Sequence, residues 1–209
     1  VYRDLFRQLD TGINLIKNAV VSSTNANKNI ATNDIIFQGN KGKWVRFANT
    51  LKLRMIIHAY ASSGIDKATE MSRIVAEGSG FLGAGEDVQV QPGFAADKPN
   101  PFYNVYKTSV AGAQTANNVY YRANKWGIDY YKYNGDPRTS RFYEAGSNGL
   151  VGVQYGLPPV TSNAAANLAG IGPGLYKTNT SPQAIMTAAE SFFLQAEARF
   201  RNFITTGST

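Results

Sequence analysis

The stretch KWVRFANTLKLRM, residues 43–55, decides the reading of the fold. Trp44, Ala48, Leu51 and Met55 recur at spacings of three and four, and Ala59 continues the series. That period is helical, and Phe47 and His58 widen the same stripe. Ser62-Ser63-Gly64 closes the helix, with Gly64 free to take a left-handed cap. Upstream, Tyr2, Leu5, Leu9, Ile13, Ile16 and Val20 predict an opening amphipathic helix, followed by a polar surface loop from Ser22 to Asn33. Downstream, Asp66 reads as the N-cap of a shorter helix carrying Ala68, Met71 and Ile74 or Val75 and stopping at Gly78. At the far end Ser181 and Pro182 read as cap and first position of a closing helix. Its inner face is expected to be Ile185, Ala189, Phe192, Ala196, Phe200 and Phe203. The two strongest helices predict a core containing Trp44, Leu51, Met55, Phe192, Ala196 and Phe200.

Between these helices the period is lost from Gly78 to Asn104. It returns for a turn or two around Val110 to Asn124, with Ala113, Ala116, Val119 and Tyr120 inward. Residues 126–144 are aromatic-rich and hinge on Asp136-Pro137-Arg138, where proline disfavours a helical residue before it. Residues 145–180 are rich in Gly, Asn and Ala, and only Gly149–Val153 suggests a short strand. Loops that long are binding elements or disordered segments. The predicted fold is therefore mostly α, a helical scaffold with long irregular loops and little β.

The chain has 209 residues, no cysteine and one histidine. Disulfides, thiolate nucleophiles and cysteine-based zinc sites are excluded together, and multi-histidine metal centres with them. A hydrolytic triad would have to run through His58 alone, which its apolar neighbours Leu51 and Met55 mark as a helix-packing residue. No apolar run reaches the roughly 20 residues a membrane helix requires. The net charge is +7, from 21 basic and 14 acidic side chains. Lys41, Lys43, Arg46, Lys52 and Arg54 form a stretch with no acid, yet a helix would turn the last three in different directions. The stretch reads as a solvated surface rather than a nucleic-acid stripe.

Two literal motifs yield to plainer readings. Gly78-Ser79-Gly80-Phe81-Leu82-Gly83 matches the dinucleotide fingerprint, but it follows a helix and precedes Glu86-Asp87, where phosphate would be repelled. It reads as a helix cap and loop. Glu190 and Glu197 lie roughly 10.5 Å apart along one helix. Glycosidase carboxylates sit about 5–9.5 Å apart and usually on different elements. Arg201, four residues after Glu197, reads as an ordinary ion-pair partner.

The surplus is aromatic. Trp126, Tyr130, Tyr131 and Tyr133 cluster beside Asn124, Asp129 and Asn134, while Tyr155 and Tyr176 sit in glycine-rich loops. A ring face covers the C–H surface of a sugar, and Asp and Asn side chains serve its hydroxyls. Candidate ligand-binding residues are Trp126, Asp129, Tyr130, Asn134, Tyr155 and Tyr176, with Gly127 expected to leave room for approach to the indole. No catalytic residue, metal ligand or cofactor is expected.

Four runs together resemble the SusD/RagB-like family of surface nutrient-binding lipoproteins. In 43–55 the matching positions are Trp44, Phe47, Ala48, Asn49, Leu51, Leu53 and Arg54. NPFYNVY at 100–106 is similar to the family's Asn-Pro segment. NGDPRTSRFYE at 134–144 carries its Asp-Pro-Arg turn, and IMTAAESFFLQAEARFR at 185–201 resembles its closing Ala-Glu-Ala helix. The resemblance implies a helical scaffold, partly of tetratricopeptide type, over 1–209 as a single domain. It further implies non-catalytic binding of an oligo- or polysaccharide and delivery to a TonB-dependent outer-membrane transporter. The full-length protein would be lipid-anchored on the cell-surface side of a bacterial outer membrane, with no nucleic-acid partner. Members are longer at both ends, so the chain is expected to be an internal portion. The family's motifs are structural, and the candidate binding residues rest on aromatic composition. Two further readings stay open: a helical-repeat interaction scaffold without a small ligand, and a glycosidase.

Overall fold

The computed structural model describes residues 1–19, 31, 33–90, 93–156 and 164–205. The expected loop at 22–33 lies almost wholly outside the described residues. The chain divides into two compact units, Val1–Pro92 with Gln183–Thr209, and Gly93–Pro182.

The first unit is built on helices α1 (Tyr2–Asn18), α2 (Lys41–His58), α3 (Lys67–Glu77) and α8 (Ala188–Phe200). Asn40 caps α2 by accepting from the Lys43 amide, and Asp66 caps α3 by accepting from Thr69. Gly78 ends α3 with φ of 84°, so the literal glycine motif is the helix cap and loop expected of it. By contrast, α2 ends at Ala59, short of the predicted Gly64, which is not left-handed.

Helix α2 is central because it is apolar on two roughly opposite faces. Leu53, Ile56 and Ile57 enter a core with Phe6 of α1, Met71 and Ile74 of α3, and Leu194 and Ala198 of α8. Trp44, Phe47 and Leu51 pack from the other side against Phe37, Leu82, Val88 and Met186. The predicted stripe is thus the half-buried face, and the fully buried one was not read. Met55 is also only partly buried, and His58, expected to pack, is exposed in the last turn. There its charge, when protonated, suits the carbonyl end of the helix.

The closing helix is corrected in both start and phase. Residues Ala184–Met186 form strand β4, antiparallel to β1 (Val88–Gln89), and Thr187 rather than Ser181 caps α8. The buried face is Ala188, Ser191, Leu194 and Ala198. Phe192 and Phe200 are exposed, the latter by 86%, and Ala196 is exposed with them. Small residues let α8 approach closely: Ser191 Oγ donates to the Leu82 carbonyl at 2.7 Å, while the Leu82 amide donates to Thr50 Oγ1 at 3.0 Å. One loop residue is thereby pinned between α2 and α8.

Four of the five basic side chains of the stretch are paired within the unit. Arg46 meets Glu86 at 2.5 Å, Lys52 meets Asp10 at 2.5 Å, Arg54 meets Glu190 at 3.1 Å, and Lys41 Nζ donates to the Ala19 carbonyl at 2.7 Å. Glu197 pairs with Arg201, as its spacing predicts. Both glutamates weighed as a catalytic pair are therefore in ion pairs with arginine.

The second unit holds α4 (Pro101–Tyr106), α5 (Ala116–Tyr120), α6 (Lys125–Tyr133) and α7 (Thr139–Phe142), with β2 (Tyr143–Glu144) antiparallel to β3 (Gly170–Ile171). Asn100, Thr115 and Asn124 cap the first three. The helix expected over Val110 to Asn124 is only the short α5, and its buried residue is Asn118. Val119 and Tyr120, expected inward, are exposed. Ala123, Ile128 and Ala169 form the core, covered by Tyr143 and Leu150. The expected strand at 149–153 reduces to isolated bridges at its two ends, Gly149 with Gly146 and Val153 with Asn124. Gly152 is required there, since a Cβ would lie 2.5 Å from the Lys125 backbone nitrogen.

Candidate functional site

The aromatic cluster is organised by α6. Asn124 accepts from the Trp126 amide at 2.8 Å, which starts the helix, and the wholly buried Ile128 anchors its inner face. Residues four apart share a helix face. Trp126 and Tyr130 accordingly stack, with ring centroids 5.6 Å apart and planes 21° from parallel. The indole is 75% exposed and Tyr130 56%. Gly127 points inward instead of making room beside the indole. A Cβ there would lie 2.9 Å from the Tyr143 hydroxyl, so the glycine makes room for that tyrosine.

The segment after Gly149 closes the other side. Val153 donates to the Ala123 carbonyl and accepts from the Lys125 amide, both at 2.8 Å. These bonds hold Tyr155, 92% exposed, beside the start of α6. A cleft of about 360 Å³ results, lined by Asn124, Lys125, Trp126, Asp129, Gln154 and Tyr155. Asp129 is in an ion pair with Lys125, which orients its carboxylate. The cleft offers ring faces, two amides and one charge pair, a surface for apolar C–H patches flanked by hydroxyls.

The candidate residues divide on this geometry. Trp126, Asp129 and Tyr155 share the cleft, and Tyr130 backs the indole. Asn134 lies past the end of α6, its side-chain amide donating to the Tyr130 carbonyl at 2.7 Å. Tyr176 is elsewhere and is not an open loop ring. It is 5% exposed, its hydroxyl donates to the Ile171 carbonyl at 2.9 Å, and its ring packs on Phe102 and Tyr103. Burial, reinforced by the Glu144 carboxylate, pushes its phenol up to about 12. It lines a separate cavity of about 360 Å³ with Tyr103 and Tyr143. Lys125 and Gln154 were absent from the sequence reading. Their only signals were the four-residue spacing of Lys125 to Asp129 and the adjacency of Gln154 to Tyr155.

The family model for SusD-like proteins, described as starch-binding and associating with the outer membrane, matches residues 1–209. The chain belongs to the SusD-like family. The fold agrees: a chitin-binding SusD homologue from Flavobacterium johnsoniae is 23% identical with a TM-score of 0.69, over 99% of this chain and 40% of that one. A SusD-like protein from Bacteroides thetaiotaomicron is 25% identical with a TM-score of 0.63, over 99% and 40%. A SusD homologue from Bacteroides fragilis is 20% identical with a TM-score of 0.69, over 98% and 44%. No curated protein matches the chain. This SusD-like chain thus spans about 40% of the length of the first two structures it matches. Its mostly helical, tetratricopeptide-like scaffold is the one its four sequence runs implied.

Proposed function

We propose that this SusD-like chain is the part of a cell-surface protein that holds an oligo- or polysaccharide without cleaving it. The protein hands its ligand to a TonB-dependent outer-membrane transporter and is anchored to that membrane by a lipid outside this chain. Membership of a family described as starch-binding and outer-membrane-associated supports the class of ligand and the location. The single observation that carries the reading is the solvent-facing Trp126–Tyr130 stack opposite the exposed Tyr155. Rings kept open to water at that cost in hydrophobic surface suit a ligand that covers them. Capture needs no acid–base pair, and Asp129 serves a hydroxyl as an acceptor.

The test is calorimetric titration with malto- and chito-oligosaccharides, beside a Trp126→Ala variant, with the ligand recovered and sized afterwards. Binding that weakens in the variant, with the oligosaccharide returned intact, is the expected result. Shortened oligosaccharide, or equal affinity in both proteins, would overturn the reading. The transporter step is tested by co-purification of the full-length protein from its own outer membrane. The interaction-scaffold alternative has no support from the loop aromatics, because Trp126, Tyr133 and Tyr155 are exposed rather than packed.

A further inference from the structure

Most carboxylates of the second unit are already matched to a cation. Lys107 meets Glu144 at 2.5 Å, Lys125 meets Asp129, and Arg138 meets Asp136 at 2.6 Å. Arg122 has no such partner among the described residues. It is half-buried, and its Nε is shielded from solvent yet makes no hydrogen bond within the protein. A shielded N–H without an acceptor is costly to the fold, and the guanidinium's other N–H donors also have no acceptor within the protein among the described residues, which leaves them for an arriving anion. The guanidinium also sits in a space that the backbone leaves for it. A Cβ on Gly170 would lie 2.8 Å from Nη1.

Arg122 opens on two clefts. One, of about 220 Å³, is polar and includes Gln114 and Asn118. The other, of about 650 Å³, includes Tyr120, Tyr121, Asn124 and Tyr155. Asn124 and Tyr155 also line the Trp126 cleft, so the two clefts adjoin at these residues, with the indole in one and Arg122 in the other. We propose that Arg122 is an oxyanion subsite in the adjoining cleft, and that the chain takes an acidic oligosaccharide. A sugar ring lies on Trp126, and a carboxylate or sulfate further along the same glycan meets the guanidinium. The planar fork of arginine binds either group through two parallel N–H donors, which a lysine cannot do. The nearby Lys107 does not compete, because Glu144 already holds it. The inference rests on the glycan reading of the Trp126 cleft and adds the charge of the ligand.

Two matched probe pairs test it on the intact chain by calorimetry. One is oligogalacturonate against its carboxyl-reduced neutral form; the other is kappa-carrageenan oligomers against their desulfated form. At least one acidic member should bind tenfold or more tighter than its neutral partner, and the pair showing the gap identifies the oxyanion. Arg122→Gln should close the gap by weakening the acidic member far more than the neutral one, and Arg122→Lys should restore part of it. If Arg122→Gln fails to fold, Gly170→Ala displaces Nη1 and should narrow the gap likewise. Neutral members that bind through Trp126 as tightly as acidic ones would overturn the subsite alone. So would a gap that survives Arg122→Gln. Failure of all four probes while malto- or chito-oligosaccharides bind would overturn the subsite alone, and failure of every oligosaccharide would overturn the glycan reading with it.

Discussion

Lys52 places its Nζ 2.5 Å from Oδ1 of Asp10 with only 1% of its side chain exposed, whereas Asp10 keeps 29%. Asp10 also has Arg73 at 3.7 Å. The two ends of this ion pair are therefore not equivalent. Asp10→Asn strands a buried ammonium and should cost about 3–5 kcal/mol. Lys52→Met leaves a carboxylate that still reaches water and Arg73, and should cost roughly half as much or less. Urea unfolding of both variants checks the order, and equal losses would contradict it.

Glu77 contributes to the acid sensitivity of the first unit, beside Asp34 and Glu86, whose carboxyls are also held below their usual values. Burial works to raise its pKa, but hydrogen bonds from Lys17, Ser79 and Asn49 outweigh it and bring the group from 4.5 to about 2. A carboxyl with a depressed folded value stabilises the fold above its unfolded value and loses that contribution as pH falls through the folded one. The contribution should be complete above about pH 5 and disappear toward pH 2. With Lys17 47% exposed, its size is of order 2 kcal/mol after screening. Glu77→Gln should flatten this part of the stability–pH curve. A variant that keeps the wild-type slope would locate the effect elsewhere.

The exposed and buried faces of α8 can be told apart by truncation. Leu194 is 7% exposed, and Leu194→Ala should cost about 2–5 kcal/mol. Phe192 is 46% exposed, so Phe192→Ala should cost well under the roughly 3–5 kcal/mol of a core phenylalanine. Chemical denaturation of the pair measures the contrast directly.

Trp126 and Tyr176 should separate affinity from stability. Trp126→Ala should remove about 1–3 kcal/mol of glycan affinity, by analogy with aromatic stacking on bases, and barely move Tm. Tyr176→Phe deletes a buried hydroxyl bonded to the Ile171 carbonyl and should cost about 0.5–1.5 kcal/mol of stability. Its glycan affinity should stay at the wild-type value. Calorimetric titration and thermal melting of both proteins give the four numbers needed.

Duplex DNA should bind weakly and be released by physiological salt, because Arg46, Lys52 and Arg54 are each held by a carboxylate. A filter-binding salt titration checks this.

The sequence by itself determined the helical character of α1, α2, α3 and most of α8, and the family they resemble. The three- and four-residue periods of α1, α2 and α3, with the Asp66 and Gly78 signals, are local properties of the chain. So was the concentration of aromatic residues between 126 and 133, although its helix α6 was not read because Gly127 and four rings mask the period. Tertiary structure alone decided which face of each helix is buried. In α8 the largest residues point to solvent, because close approach to α2 selects Ser191 and Ala198 over Phe192 and Phe200. It alone decided which loop rings are open, since Tyr155 and Tyr176 have similar glycine-rich surroundings in sequence but differ in backbone pairing and in neighbours from α4. The state of each charge is likewise beyond local reading. Arg46 finds Glu86 forty residues on and Arg54 finds Glu190 across 136, while Arg122 finds no carboxylate among the described residues. Ion pairing depends on distance in space, and that is settled only when the helices have packed.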